Sequence, residues 1–115
     1  MEKTIWLTYD LGVGGDYPGL YKWLDNHHAL ECGTNVACFK YHIDDKKNTD
    51  DMILSQLEKE LETLVDIKNN NRIYVIRSDS NNKGDKIIKG KFLFGNRKSS
   101  PWVGYGNSSG AKDDE

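Results

Sequence analysis

The sequence has no hydrophobic run long enough to cross a bilayer, and no apolar signal segment follows the opening Met-Glu-Lys. A membrane role is therefore not expected. Cysteine is scarce. Cys32 and Cys38 make neither a disulfide framework nor a CxxC pair, so a reducing cytoplasm is the expected compartment. Charge is close to balanced, at −2, which argues against bulk attraction to nucleic acid. Nucleotide-binding signatures are missing as well: Gly12-Val13-Gly14-Gly15 lacks the spacing of a dinucleotide fingerprint, and no Gly-Lys-Ser/Thr run occurs. There is no internal repeat.

What is present fits one globular domain. The chain has 115 residues, 37% hydrophobic and 30% charged, enough for a modest core. Its charge is unevenly spread. From Asp44 to Asp66 eight acids stand against three lysines, a net of −5. From Arg72 to Lys98 eight basic residues stand against Asp79 and Asp85, a net of +6. Such blocks read either as two solvated faces or as a polyanion-facing edge made by the C-terminal strands.

The stretch Ile5 to Leu24 organises the rest. Lys3 to Asp10 is rich in β-branched and aromatic residues with no breaker, and predicts a strand. Alternation puts Ile5, Leu7 and Tyr9 on one face and Trp6, Thr8 and Asp10 on the other. A glycine-rich connector leads to Asp16, which can cap a helix that tolerates Pro18 in its first turn and runs to about His27. Tyr17, Leu20, Tyr21 and Leu24 recur there at helical spacing. Leu30–Cys32 and Val36–Ile43 predict two short strands joined by Gly33-Thr34-Asn35. Thr49 or Asp50 can start a second helix with the stripe Ile53, Leu54, Leu57, Leu61, Leu64 and Val65. Arg72–Ser78 predicts a further strand, and Lys86–Phe94 a last one, broken at Gly90. Residues 1–106 would form the domain. The small and acidic residues from Asn107 to Glu115 have nothing to bury and are expected to fray.

The order β-α-β-β-α-β plus one strand predicts an α+β fold, a ferredoxin-like split βαβ sandwich with an extra C-terminal strand. Two helices cover only one face of such a sheet. The other face carries Trp6 and is expected to meet a partner, so a homodimer is predicted, with the last strand helping to join the protomers.

The TIWLTYD strand ending in Asp10, the GTNVACFKY hairpin and the NNRIYVI strand after an acidic helix resemble the CRISPR-associated protein 2 superfamily and its VapD-like and GhoS-type relatives. The resemblance spans roughly residues 3 to 95 and implies a ferredoxin-like dimer. It implies metal-dependent phosphodiester cleavage in some members and an adaptor role in others. Asp10 matches the aspartate implicated in that cleavage. The segment after it, GVGGDYPG, brings no Lys or Arg before Lys22, where adaptation proteins of that superfamily tend to be basic.

Asp10 is thus the candidate catalytic and metal-binding residue. Mg²⁺ or Mn²⁺ would take one or two carboxylates and fill its remaining positions with water and phosphate, and a two-fold axis could bring two copies of Asp10 together. The structural alternative is that Asp10 ends a strand and binds nearby backbone N–H groups. Arg72, Arg77, Lys89 and Lys91 are candidate contacts to a nucleic-acid backbone. The opposing expectation is a non-catalytic adaptor or antitoxin-like protein that binds a protein partner through its open sheet. His27, His28, Cys32, Cys38 and His42 do not have zinc-ligand spacing, and nothing places a base beside Cys38. Lys89 to Phe94 faintly resembles the basic-aromatic signature of RNA-recognition modules, but lies in the last strand instead of the expected third. Trp102 and Tyr105 are expected to close an interface or cap the core.

Overall fold

A computed structural model describes residues 2–46 and 48–106; the expected frayed tail, 107–115, lies outside the described residues. The chain forms β1 (Glu2–Asp10), α1 (Tyr17–Asn26), β2 (Leu30–Glu31), β3 (Val36–His42), α2 (Asp50–Leu64), β4 (Arg72–Ser80) and β5 (Lys86–Phe94). The architecture is α+β: one five-stranded sheet, order β2-β3-β1-β4-β5, with every neighbouring pair antiparallel, and two helices. Among the described residues no helix is long and apolar enough to cross a membrane.

Strand alternation decides where the core lies. Ile5 and Leu7 of β1, Ala37, Phe39 and Tyr41 of β3, and Ile73 and Val75 of β4 are buried at every second position. They form one cluster with Leu20, Trp23 and Leu24 of α1 and with Ile53, Leu54, Leu57 and Leu61 of α2. Leu64, expected to complete the second helix's stripe, is exposed instead, because that helix ends there and Val65 turns inward in extended conformation. Asp16 caps α1 by accepting the Gly19 N–H (3.0 Å), and Thr49 caps α2 by accepting the Met52 N–H (3.3 Å).

Among the described residues no helix covers the opposite face. Its rows follow from the register: Cys38, Trp6 and Ile76 side by side, then Val36, Thr8, Tyr74 and Phe92. Trp6 is 39% exposed there, as its alternation predicted.

Three expectations are corrected. The last strand is not broken at Gly90. β5 pairs with β4 across that residue, and its irregularity falls later, opposite Ile73 and Tyr74. A glycine is needed because the Tyr74 ring lies where a Cβ at position 90 would be. β4 runs on to Ser80, past the predicted end at Ser78, because β5 offers it a partner as far as Lys86. Trp102 and Tyr105 do not cap the core: they are 70% and 87% exposed.

Candidate functional site

Asp10 is the last residue of β1, a strand paired on both sides. Its neighbour across the ladder is Arg72, the first residue of β4. A carboxylate and a guanidinium thereby share one end of the sheet, on the uncovered face. Arg72 Nη2 lies 3.6 Å from Asp10 Oδ2, and the Gly12 N–H donates to Asp10 Oδ1 at 3.2 Å. Both contacts are long, and the Asp10 side chain is 53% exposed. Arg72 Nε is buried without a hydrogen-bond partner among the described residues. A donor in that state is satisfied when an acceptor or water enters beside it.

The next row completes a pocket. Thr8 and Tyr74 are register partners, and Tyr74 meets Phe92 edge-on at 4.7 Å between centroids. Gly95, at φ +80°, reverses the chain after β5, packed so closely on Asn71 and Arg72 that no Cβ would fit. The reversal brings Arg97 back over the sheet, 5.9 Å from the Tyr74 centroid and 5.8 Å from that of Phe92. Asp10, Arg72, Arg97, Tyr74, Phe92 and Asn35 are among the residues around a cavity of about 340 Å³. Two cations, one carboxylate and two aromatic rings at the sheet surface suit a ligand carrying both phosphate and planar groups.

Of the predicted backbone contacts, only Arg72 stands beside Asp10. Arg77 lies on the helix-covered face, 3% exposed, where its Nε donates to Asp50 Oδ1 at 2.9 Å and its Nη2 to Oδ2. That pair holds the Asp50 carboxyl below the usual carboxylate range, chiefly through the guanidinium hydrogen bond. Lys89 pairs with Asp79 at 2.9 Å on the same face, and Lys91, register partner of Val75, is exposed there. Odd and even positions of one strand face opposite ways, so the four cations cannot act on one ligand. Arg97 escaped the sequence reading because nothing local announces a side chain returned by a glycine turn. Tyr74 and Phe92 could have been found: alternation from Arg72 puts residue 74 on the same face.

A divalent cation at this site would need oxygen donors besides Asp10. Asp16 is turned away from Asp10. It caps α1 and also accepts the Asp66 N–H at 2.9 Å, the first cause of its depressed carboxyl pKa. Among the described residues, no group of three or more His, Cys, Asp or Glu side chains could hold a metal ion. Among the described residues around this cavity Asp10 is the one carboxylate, half of what a two-chain site would need.

The histidines and cysteines have other duties. His27 stacks on Trp23 at 3.9 Å, and its Nδ1 donates to the Trp23 carbonyl at 2.8 Å. Burial, and then the neighbouring Cys32, push the Cys38 thiol up, away from the thiolate a nucleophile needs. Searches against protein-family models, curated proteins and solved structures find no match to this chain.

Proposed function

We propose that this chain acts on nucleic acid through the uncovered face of its sheet, as a metal-dependent phosphodiesterase centred on Asp10. The observation that carries the reading is the half-exposed Asp10 carboxylate beside Arg72, around one cavity with Arg97 and the edge-on rings of Tyr74 and Phe92. In the proposal, Arg72 takes a backbone phosphate, and its unpartnered Nε–H donates to a phosphate oxygen in place of water. Tyr74 and Phe92 offer ring surface for a base, with the Arg97 guanidinium 5.9 Å and 5.8 Å from their centroids. Mg²⁺ or Mn²⁺, when bound, would neutralise phosphate charge and activate water at neutral pH.

A single Asp10 calls for a second. We read the strand order as a ferredoxin-like split βαβ sheet whose bare face meets a second copy along the row of Trp6 and Ile76, in a homodimer in the cytoplasm that leaves the Asp10 end of that face to nucleic acid. The free edge of β5 is available to the same contact. The resemblance to the CRISPR-associated protein 2 superfamily points the same way.

Labelled RNA and DNA, incubated with and without Mg²⁺ or Mn²⁺, test the activity. Cleavage that needs the metal and disappears in Asp10→Ala supports the proposal; cleavage unchanged in that variant rejects it. A second reading, a non-catalytic adaptor, is favoured by two contacts: Asp10 already faces Arg72 and the Gly12 N–H. Under it neither nucleic acid is cut, Asp10→Ala leaves partner binding intact, and Trp6→Glu removes it.

A further inference from the structure

A second cavity, also about 340 Å³, lies at the other side of β1, between α1 and the β2–β3 edge. Tyr9, Tyr21, Asp25 and Glu31 are among its lining residues, with Leu24 and Ala37 contributing apolar surface. Tyr21, Leu24 and Asp25 share one face of α1 by their spacing. Among the described residues the lining includes no lysine or arginine.

Tyr9 and Tyr21 have centroids 6.2 Å apart and planes at 77°, so their rings meet as two walls of a corner. Tyr17 packs against both, at 6.3 Å and 5.8 Å, which holds the corner in place. Glu31 uses Oε2 to accept the Gly33 N–H at 3.2 Å, leaving Oε1 for another donor. Burial, followed by the hydrogen bond with Tyr21, pushes the Tyr9 phenol up to about 12, so it stays neutral at physiological pH.

We propose that this corner, two tyrosine rings with Asp25 and Glu31 at the rim, binds an organic ammonium group. Ring faces carry negative potential and attract a cation held over them. A hard metal ion would need several oxygen ligands, which ring faces do not provide. A bulky ammonium is instead suited to aromatic walls, and the two carboxylates supply the opposite charge. The ammonium can belong to a free amine or to a methylated lysine side chain; the chemistry is the same. Tyr9 and Val36 border both cavities, but Asp10 does not line this one, and the ammonium site does not depend on the proposed hydrolysis.

The test is an amide NMR titration of the whole chain with choline and with dimethylbutanol, its uncharged carbon isostere. Choline should give saturable shifts at Tyr21, Asp25 and Glu31, and the alcohol should bind far more weakly. Tyr21→Ala should weaken choline binding on the order of tenfold. Tyr21→Phe, which keeps the ring, should retain it, and Glu31→Gln should weaken it. A peptide carrying trimethyllysine separates the sources: tighter binding than choline assigns the ammonium to a protein side chain, and equal or weaker binding assigns it to a free amine. Asp10→Ala should leave all of this unchanged, so loss of nuclease activity and loss of this site are told apart. Equal binding of the alcohol, an unaffected Tyr21→Ala titration, or no saturable shift overturns the proposal.

Discussion

At the scale of single residues, position on a strand decides more than residue type. Arg72 and Arg77 belong to one strand, yet one meets the exposed Asp10 and the other the half-buried Asp50. The Arg77–Asp50 pair ties β4 to the first turn of α2. Replacing Asp50 with Ala strands a buried guanidinium and should lower unfolding free energy by about 3 kcal/mol, measured by urea denaturation. The pair also predicts acid sensitivity. Asp50 ionises more readily in the folded chain than in the unfolded one, so the unfolded state binds more protons as pH falls below the usual aspartate range of about 4. Stability is thus complete above that range and lost as pH falls through the depressed folded value. Asp50→Asn should flatten this part of the stability–pH curve. Gly90 is constrained by the ring above it: Gly90→Ala should destabilise by about 1 kcal/mol, and the loss should shrink in a Tyr74→Ala background.

At the scale of elements, Glu60 of α2 joins three of them. It accepts the Trp23 indole N–H from α1 at 3.2 Å, the Tyr41 hydroxyl from β3 at 2.5 Å and the Gln56 amide at 3.3 Å, with His27 Nε2 at 3.6 Å. Burial and this carboxylate both push the Tyr41 phenol up. Glu60→Leu leaves a buried hydroxyl and an indole N–H without an acceptor, and should cost about 2 kcal/mol in thermal or urea unfolding. Its sequence context, one acid in a charged helix, gives no sign of that role. The cap at Thr49 was legible. Thr49→Ala should cost about 1 kcal/mol by the same measurement.

At the scale of the whole molecule, the described residues cover the sheet on one side only. Apolar and aromatic side chains at the centre of the bare face predict self-association. Light scattering should return twice the chain mass, and Trp6→Glu should return the monomer with its circular dichroism unchanged. A monomer at all micromolar concentrations would remove the dimer, and with it the second Asp10.

The seven elements were legible because period-two burial in the strands and the apolar stripes in the helices follow directly from backbone geometry. So was the exposed placement of Trp6 and Asp10. The candidate site was legible only in part. Asp10 and Arg72 sit at strand ends whose facing alternation can forecast, whereas Arg97 arrives through a chain reversal at Gly95 and the Tyr9–Tyr21 corner through the packing of α1 on β1. By itself, the sequence determined which face of each element is apolar, since that is a property of spacing along a chain. Only the tertiary structure decided which charges meet, because strand register and helix docking bring together residues tens of positions apart, and no local pattern records that distance.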